Sequence, residues 1–218
     1  ALLPVGSPVR PAQRVAEAMG YGPSDGVLNV FGWHHINARN ACFLPALISG
    51  ARMVVAPRFS ASGFLPLARR EQVTAFNFMG ALCGMLLAQP ADAADRDHRI
   101  RAAYGGPAPA ELVTAFRDRF GVTLRQAYAC TELADVAITP VDELRPGWAG
   151  RVLADYDVRV VDETMRPLPE GEVGELLVRP RNAGSAFLEY VADPAITEDA
   201  WYGEWFRTRD RAVLDRGW

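Results

Sequence analysis

The 218-residue sequence is short of several things, and each shortage removes a class of function. Cysteine is scarce: Cys42, Cys83 and Cys130 are the only three. The count is odd and no two stand at metal-ligand spacing. Neither a disulfide framework nor a zinc site is indicated, and reduced thiols in a cytoplasmic protein are expected. No apolar run is long enough to span a bilayer. The opening Ala1-Leu2-Leu3-Pro4 has neither a basic leader nor a long apolar stretch, so no secretory signal is read there. An initiator Met is also missing, as expected after trimming or processing, or in part of a longer protein. There is no charge excess. The net charge is −3, and the arginines are scattered among acids instead of forming a basic stripe, which argues against a nucleic-acid partner. No Gly-x-Gly-x-x-Gly follows a strand-like run, which disfavours a dinucleotide oxidoreductase.

Half of the residues are hydrophobic, enough for a sizeable core. The first part alternates strand-like and helix-like stretches. Val27–Phe31 reads as a buried strand after the turn Pro23-Ser24-Asp25-Gly26. A helix is expected from about Asn37 to Ser49, with Gly50 as its stop. Strands are expected at Arg52–Ala56, Val73–Asn77, Ile100–Tyr104 and Val122–Ala127, with helices at Phe64–Arg70 and Ala81–Ala88 between them. The clearest helix spans Ala110–Phe120, where Leu112, Val113, Phe116 and Phe120 form one apolar stripe. This order predicts an α/β fold: a mainly parallel sheet with covering helices. After Pro140 the texture becomes β-rich. Val158–Val161, Val173–Arg179 and Trp205–Leu214 suggest a smaller, distorted barrel-like subdomain, with a short helix near Ala195–Ala200. We expect an α/β subdomain over 1–140 packed on a β-rich subdomain over 141–218.

Ligands of parallel α/β sheets bind beyond the carboxyl ends of the strands. Those ends lead into Gly32-Trp33-His34-His35, Phe78-Met79-Gly80, Gly105-Gly106-Pro107 and Tyr128-Ala129-Cys130-Thr131-Glu132. Small residues for close backbone approach, an aromatic ring, a hydroxyl and a carboxylate suit a nucleotide with a metal ion. The loops also come in a recognisable order. Gly105-Gly106-Pro107-Ala108-Pro109 before an amphipathic helix resembles the Gly-Gly-Ala-Pro segment of the AMP-forming acyl-activating enzymes, the superfamily of acyl-CoA synthetases and adenylation domains. Gln126-Ala127-Tyr128-Ala129-Cys130-Thr131-Glu132 resembles that family's Gln-Gly-Tyr-Gly-x-Thr-Glu motif. Gly150-Arg151-Val152 with Arg166–Leu176 resembles its Gly-Glu-Leu region, and Trp205–Asp210 its Trp-Phe-x-Thr-Gly-Asp motif. His35-Ile36-Asn37-Ala38 resembles its Phe-His-x-Asn-x-Gln segment. The flavour is closest to the crotonobetaine and carnitine-type ligases.

The resemblance implies a two-step reaction. A carboxylic acid attacks the α-phosphate of ATP, and a thiol then displaces AMP from the acyl-adenylate. The thiol is coenzyme A or the phosphopantetheine of a carrier protein. Such chemistry asks for charge neutralisation and positioning more than for a protein nucleophile. By this resemblance Thr131 bonds a phosphate oxygen and Glu132 holds Mg²⁺. Tyr128 stacks on adenine, with Gly105, Gly106, Pro107, Gln126 and Ala127 around the base, and Asp210 takes the ribose hydroxyls. His35 sits near the acid's carboxylate, and Trp33, Phe78, Met79 and Gly80 shape the acyl pocket. Duller readings stand beside these. Gly105-Gly106 also makes a tight turn, Thr131 and Glu132 also cap a turn, and Trp33, Phe78 and Met79 also suit a core.

Two family features are not found. The phosphate loop with its lysine does not occur in Ala1–Arg10, and the chain ends before the region that brings a catalytic lysine. These residues alone are therefore expected to be inactive. Two substitutions stand out. Ala129 replaces a usual glycine, which matters if that backbone has positive φ. Arg209 replaces another, where a cation either closes the nucleotide site or adds a phosphate contact. The alternative reading is a truncated, non-catalytic homologue that binds an acyl compound or a protein. Homo-oligomer formation stays open.

Overall fold

The computed structural model describes all residues from 1 to 218. It opens on a helix that the sequence reading did not include, α1 (Val9–Met19). Its buried face, Ala12, Val15, Ala16 and Met19, has the i, i+3, i+4, i+7 spacing of an amphipathic helix. Strand β1 (Gly26–Asn29) is next. A continuous helical passage leads on from it: α2 (Ile36–Ala38), a π-helical turn (Arg39–Phe43) and α3 (Leu44–Ser49). Then β2 (Arg52–Val55), α4 (Ala61–Arg70), β3 (Ala75–Phe78), α5 (Gly80–Leu87) and β4 (Ala102–Gly105) alternate. Helix α6 (Ala110–Phe120) has the expected bounds. Glu111 lies in its first turn and Arg117 and Arg119 in its last, each matching the helix dipole.

Strands β2-β1-β3-β4 and, after them, β5 (Thr123–Cys130) pair in parallel, as the alternation predicted. Strand β5 runs further than expected and doubles back through Thr131-Glu132-Leu133 into the antiparallel β6 (Ala134–Ile138). The short β7 (Arg151–Val152) pairs with β6 and completes seven strands, so the first sheet continues past residue 140. The second sheet is antiparallel, in the order β10 (Trp201–Tyr202), β11 (Trp205–Ala212), β9 (Gly174–Pro180), β8 (Tyr156–Val161). Helix α7 (Pro194–Asp199) precedes β10.

β1, β3 and β4 are buried along their whole length, as expected of parallel strands covered on both faces. The main core lies between these strands and α4, α5 and α6. Its aromatic centre is a chain of contacts, Phe64 to Phe76, Phe76 to Phe116 and Phe116 to Phe120, with ring centroids 5.0, 6.2 and 4.7 Å apart. A second cluster, around Leu133, Val136, Tyr156, Phe187 and Phe206, joins the two sheets. No helix is long and apolar enough to cross a membrane.

Three asparagines tie the carboxyl ends of β1 and β3 to the helix above them. The Asn77 amide donates to Asn29 Oδ1 at 2.9 Å and to Asn37 Oδ1 at 2.6 Å. Asn37 in turn donates to the Phe78 carbonyl at 3.0 Å. Asn29 and Asn77 are fully buried, so these bonds replace lost hydration.

Phe116 fills the centre of the main core, so truncation leaves a cavity. Phe116→Ala should lower the unfolding free energy in urea by about 3–5 kcal/mol. A loss below about 1 kcal/mol would place the core's centre elsewhere.

Candidate active site

A cleft of about 450 Å³ opens at the carboxyl edge of the parallel strands, where the first sheet faces β11. Of the residues named from sequence, His35, Met79, Gly105, Gly106, Pro107, Ala127, Tyr128 and Asp210 line it. Asn37, Asn40, Tyr104 and Asp135 line it as well, and sequence reading had not singled them out as site residues.

Backbone geometry explains why these side chains meet. Gly105 passes so close to β3 that a Cβ there would lie 2.0 Å from the Phe78 carbonyl oxygen. Only glycine lets the loop after β4 lie flat at the floor of the cleft. Gln126 is buried and holds that loop from below, its Oε1 accepting from the Ala108 N–H at 2.6 Å. Its amide side chain therefore supports the loop, a correction to its expected place beside a ligand. Across the cleft, the Tyr128 hydroxyl donates to Asp210 Oδ2 at 2.6 Å and links the two sheets. Burial, together with this carboxylate neighbour, raises the Tyr128 phenol above its ordinary range and keeps it protonated. Both residues sit at register shifts, between Tyr128 and Ala129 in β5 and between Arg207 and Arg211 in β11. Such bulges re-aim side chains.

The two departures from the family pattern now have a structural account. Ala129 is not among the positive-φ residues, so alanine fits its backbone without strain. Arg209 has φ of 61°, which explains why glycine is usual there. Its guanidinium turns to Asp199, 2.5 Å away, and does not line the cleft.

His35 caps α2, and its Nδ1 accepts from the Asn37 N–H at 3.1 Å. In the neutral ring this leaves Nε2 as the donor. Thr131 and Glu132 lie at the β5–β6 turn and line a separate hollow of about 370 Å³, with Ser7, Arg10, Arg14, Asp155 and Ser185. Asn40 borders both spaces. Glu132 Oε1 accepts from the Tyr190 hydroxyl at 2.8 Å. Arg10 and Arg14 both pair with Asp155, and with Glu132 the hollow holds two cations and two carboxylates.

Three expected pocket residues lie elsewhere. Phe78 is fully buried in the main core. Gly80 starts α5 beneath the Pro107 carbonyl, which a Cβ would meet at 2.4 Å. Trp33 is half exposed, edge-on to Phe43 at 5.7 Å, and is not part of the cleft. Phe78 closes a strand buried on both faces, and that setting outweighs its position in the motif. Burial pushes the Cys130 thiol up to about 12, so it is no nucleophile at neutral pH.

Asp135 is buried, and its Oδ2 has no hydrogen-bond partner. The neighbouring Tyr104 hydroxyl is also buried and unpartnered. Burial pushes the Asp135 carboxyl up to about 6, an effect that Tyr104 and the charge of Arg14 only partly offset.

The cleft thus lies between a parallel sheet and an antiparallel sheet, and the comparisons name the family. The chain belongs to the AMP-binding enzyme family, whose profile matches residues 6–188. Among curated proteins it is 32% identical over 185 residues to a crotonobetaine/carnitine–CoA ligase of Salmonella paratyphi C, covering 83% of this chain and 36% of that protein. The chain thus spans about a third of the length of the curated relatives it matches. Among solved structures, ATP-bound MatB from Rhodopseudomonas palustris superposes with a TM-score of 0.86 at 21% identity, over 98% of this chain and 42% of that one. O-succinylbenzoate coenzyme A synthetase of Bacillus subtilis, with ATP and magnesium, gives 0.81 at 23%, over 98% of this chain and 44% of that one. These likenesses share the two-sheet fold described above.

The Asp135 carboxyl binds its proton more tightly in the folded chain than in the unfolded one. Its contribution to stability is therefore greatest in acid and falls as pH rises from about 4 to about 6. Asp135→Asn should remove that slope. The variant should exceed the native chain in stability by roughly 3 kcal/mol above pH 7 and converge with it near pH 4. Urea titrations across this range check it, and a pH-independent difference would disprove the buried, ionised carboxylate.

Proposed function

We propose that these residues form the nucleotide and acid half-site of an AMP-forming acid–thiol ligase. The observation that carries this reading is the Tyr128–Asp210 hydrogen bond closing a cleft floored by Gly105-Gly106. The Tyr128 ring and the glycine backbone both border the cleft and offer flat surfaces for a purine to stack on. Asp210 keeps Oδ1 for ribose hydroxyls. ATP enters as its magnesium complex. Its phosphates run past Asn40 into the hollow, where Thr131 donates to a phosphate oxygen and Arg10 and Arg14 offer guanidinium N–H donors. One carboxylate, Glu132, plus phosphate oxygens is a donor set that magnesium accepts.

The acid lies at the His35 end. Nε2–H of His35 orients its carboxylate for attack on the α-phosphate, with pyrophosphate as leaving group. A thiol then attacks the acyl carbon and AMP departs. Coenzyme A is the acceptor that the names of the curated relatives suggest, and a carrier-protein phosphopantetheine has the same reacting group. All 23 basic residues of the chain are arginine, so the lysine that the resemblance implies for adenylation is not among them. We infer slow or no turnover by these 218 residues alone.

Calorimetric titration with ATP·Mg²⁺ tests the half-site. Asp210→Ala and Glu132→Ala should each weaken binding by about tenfold or more, the cost of one charge-assisted contact. ATP binding by the folded chain that neither variant alters would refute the assignment. Complete absence of nucleotide binding would favour the non-catalytic binding module.

A further inference from the structure

The cleft has a second polar feature that the nucleotide reading does not use. Asp135 and Tyr104 both line it, both are buried, and each has an oxygen without a partner. They stand at its deep end. Tyr104 packs with Val15, Met19 and Ala41, on the side of α1 and the π-helical turn. Tyr128 and Asp210 mark the other end, toward the second sheet. Asp135 pairs with Ala129 beside the β5 bulge, which turns its strand at the cleft wall. The nearby cation, Arg14, is bonded to Asp155 and leaves Asp135 without an ion-pair partner.

An unpaired buried carboxylate destabilises a fold, and such groups persist where a ligand completes them. We propose that Asp135, with Tyr104, selects the acyl chain of the substrate: a carboxylic acid bearing a protonated amine. The acid's carboxylate lies at His35 and its ammonium group reaches the deep end. There it donates N–H bonds to Asp135 Oδ2 and to the Tyr104 oxygen. An ammonium supplies the positive charge that this pair lacks, and N–H donors beyond the single Tyr104 hydroxyl. A purely hydrocarbon chain would leave the buried carboxylate with the Tyr104 hydroxyl as its one polar neighbour and no positive charge. The π-helical turn beside it fits this role, since such turns widen a helix locally at ligand sites.

This inference rests on the proposed acid half-site, and the experiment separates the two. The chain is first titrated with AMP and then, at saturating AMP, with δ-aminovalerate or with hexanoate, whose uncharged hydrocarbon tail has the same length. The amine-bearing acid should bind at least about tenfold more tightly. In Asp135→Asn that preference should shrink to about threefold or less, with AMP affinity unchanged. Tyr104→Phe, which keeps the ring and the packing, should reduce it by a smaller factor. Equal or tighter binding of hexanoate by the native chain would overturn the proposal, as would binding of neither acid. So would a preference that survives in a folded Asp135→Asn variant, or loss of AMP affinity in that variant, which would make Asp135 a nucleotide contact. If AMP itself does not bind, the nucleotide reading fails, and the same acid pair titrated alone still decides the selection.

Discussion

The arrangement around the cleft depends on a hydrogen-bond network built on two fully buried asparagines, Asn29 and Asn77. Asn77, at the end of β3, holds Asn29 of the neighbouring strand and Asn37 of the helix above. Each bond is modest against a hydrated reference, but losing one would leave a buried amide unmatched, which costs about 1–3 kcal/mol. The network therefore sets where α2 and its π-helical continuation lie on the sheet. His35, Asn37, Asn40 and Ala41 reach the cleft from that passage. Phe78 contributes from the opposite direction: its ring anchors the core while its carbonyl receives Asn37 and sits under Gly105.

The second requirement is that an antiparallel sheet be held against a parallel one without filling the space between them. The cluster of Leu133, Val136, Tyr156, Phe187 and Phe206 makes that contact. The polar bond between Tyr128 and Asp210 bridges the gap where the cleft remains open. Regular strands would present every second side chain to the same face. The irregularities in β5 and β11 break that rule at the positions where Tyr128 and Asp210 are needed. Arg209 carries the strained backbone of the β11 irregularity, and its charge is drawn to Asp199. Its guanidinium therefore lies outside the cleft lining.

Much of this was legible beforehand, for physical reasons. The helix over Ala110–Phe120 was readable because its apolar residues repeat at helical spacing and glycine ends it. The parallel strands were readable because burial on both faces makes them continuous apolar runs. Gly105, Tyr128 and Asp210 were readable because ordered motifs mark them. Other features gave weaker signals. Helix α1 has an amphipathic face built partly from alanine, a faint contrast against its surroundings. Strand β6 and the reversal at Thr131-Glu132 were hidden, since the motif suggests a loop and carries no signal for the strand beyond it. Gln126 and Phe78 share their motifs with ligand-facing residues, yet their side chains point into the protein.

The sequence by itself determined the fold class, the order of the strands' carboxyl-end loops and the family, because periodicity and motif order are properties of the chain. Only the tertiary structure decided which of those loop residues share a space. It divided them between the cleft and the adjoining hollow, turned Arg209 away, and brought Tyr104 and Asp135 together without a partner. Those outcomes depend on contacts between residues far apart in the chain, and on the desolvation that arises only when the two sheets close on each other.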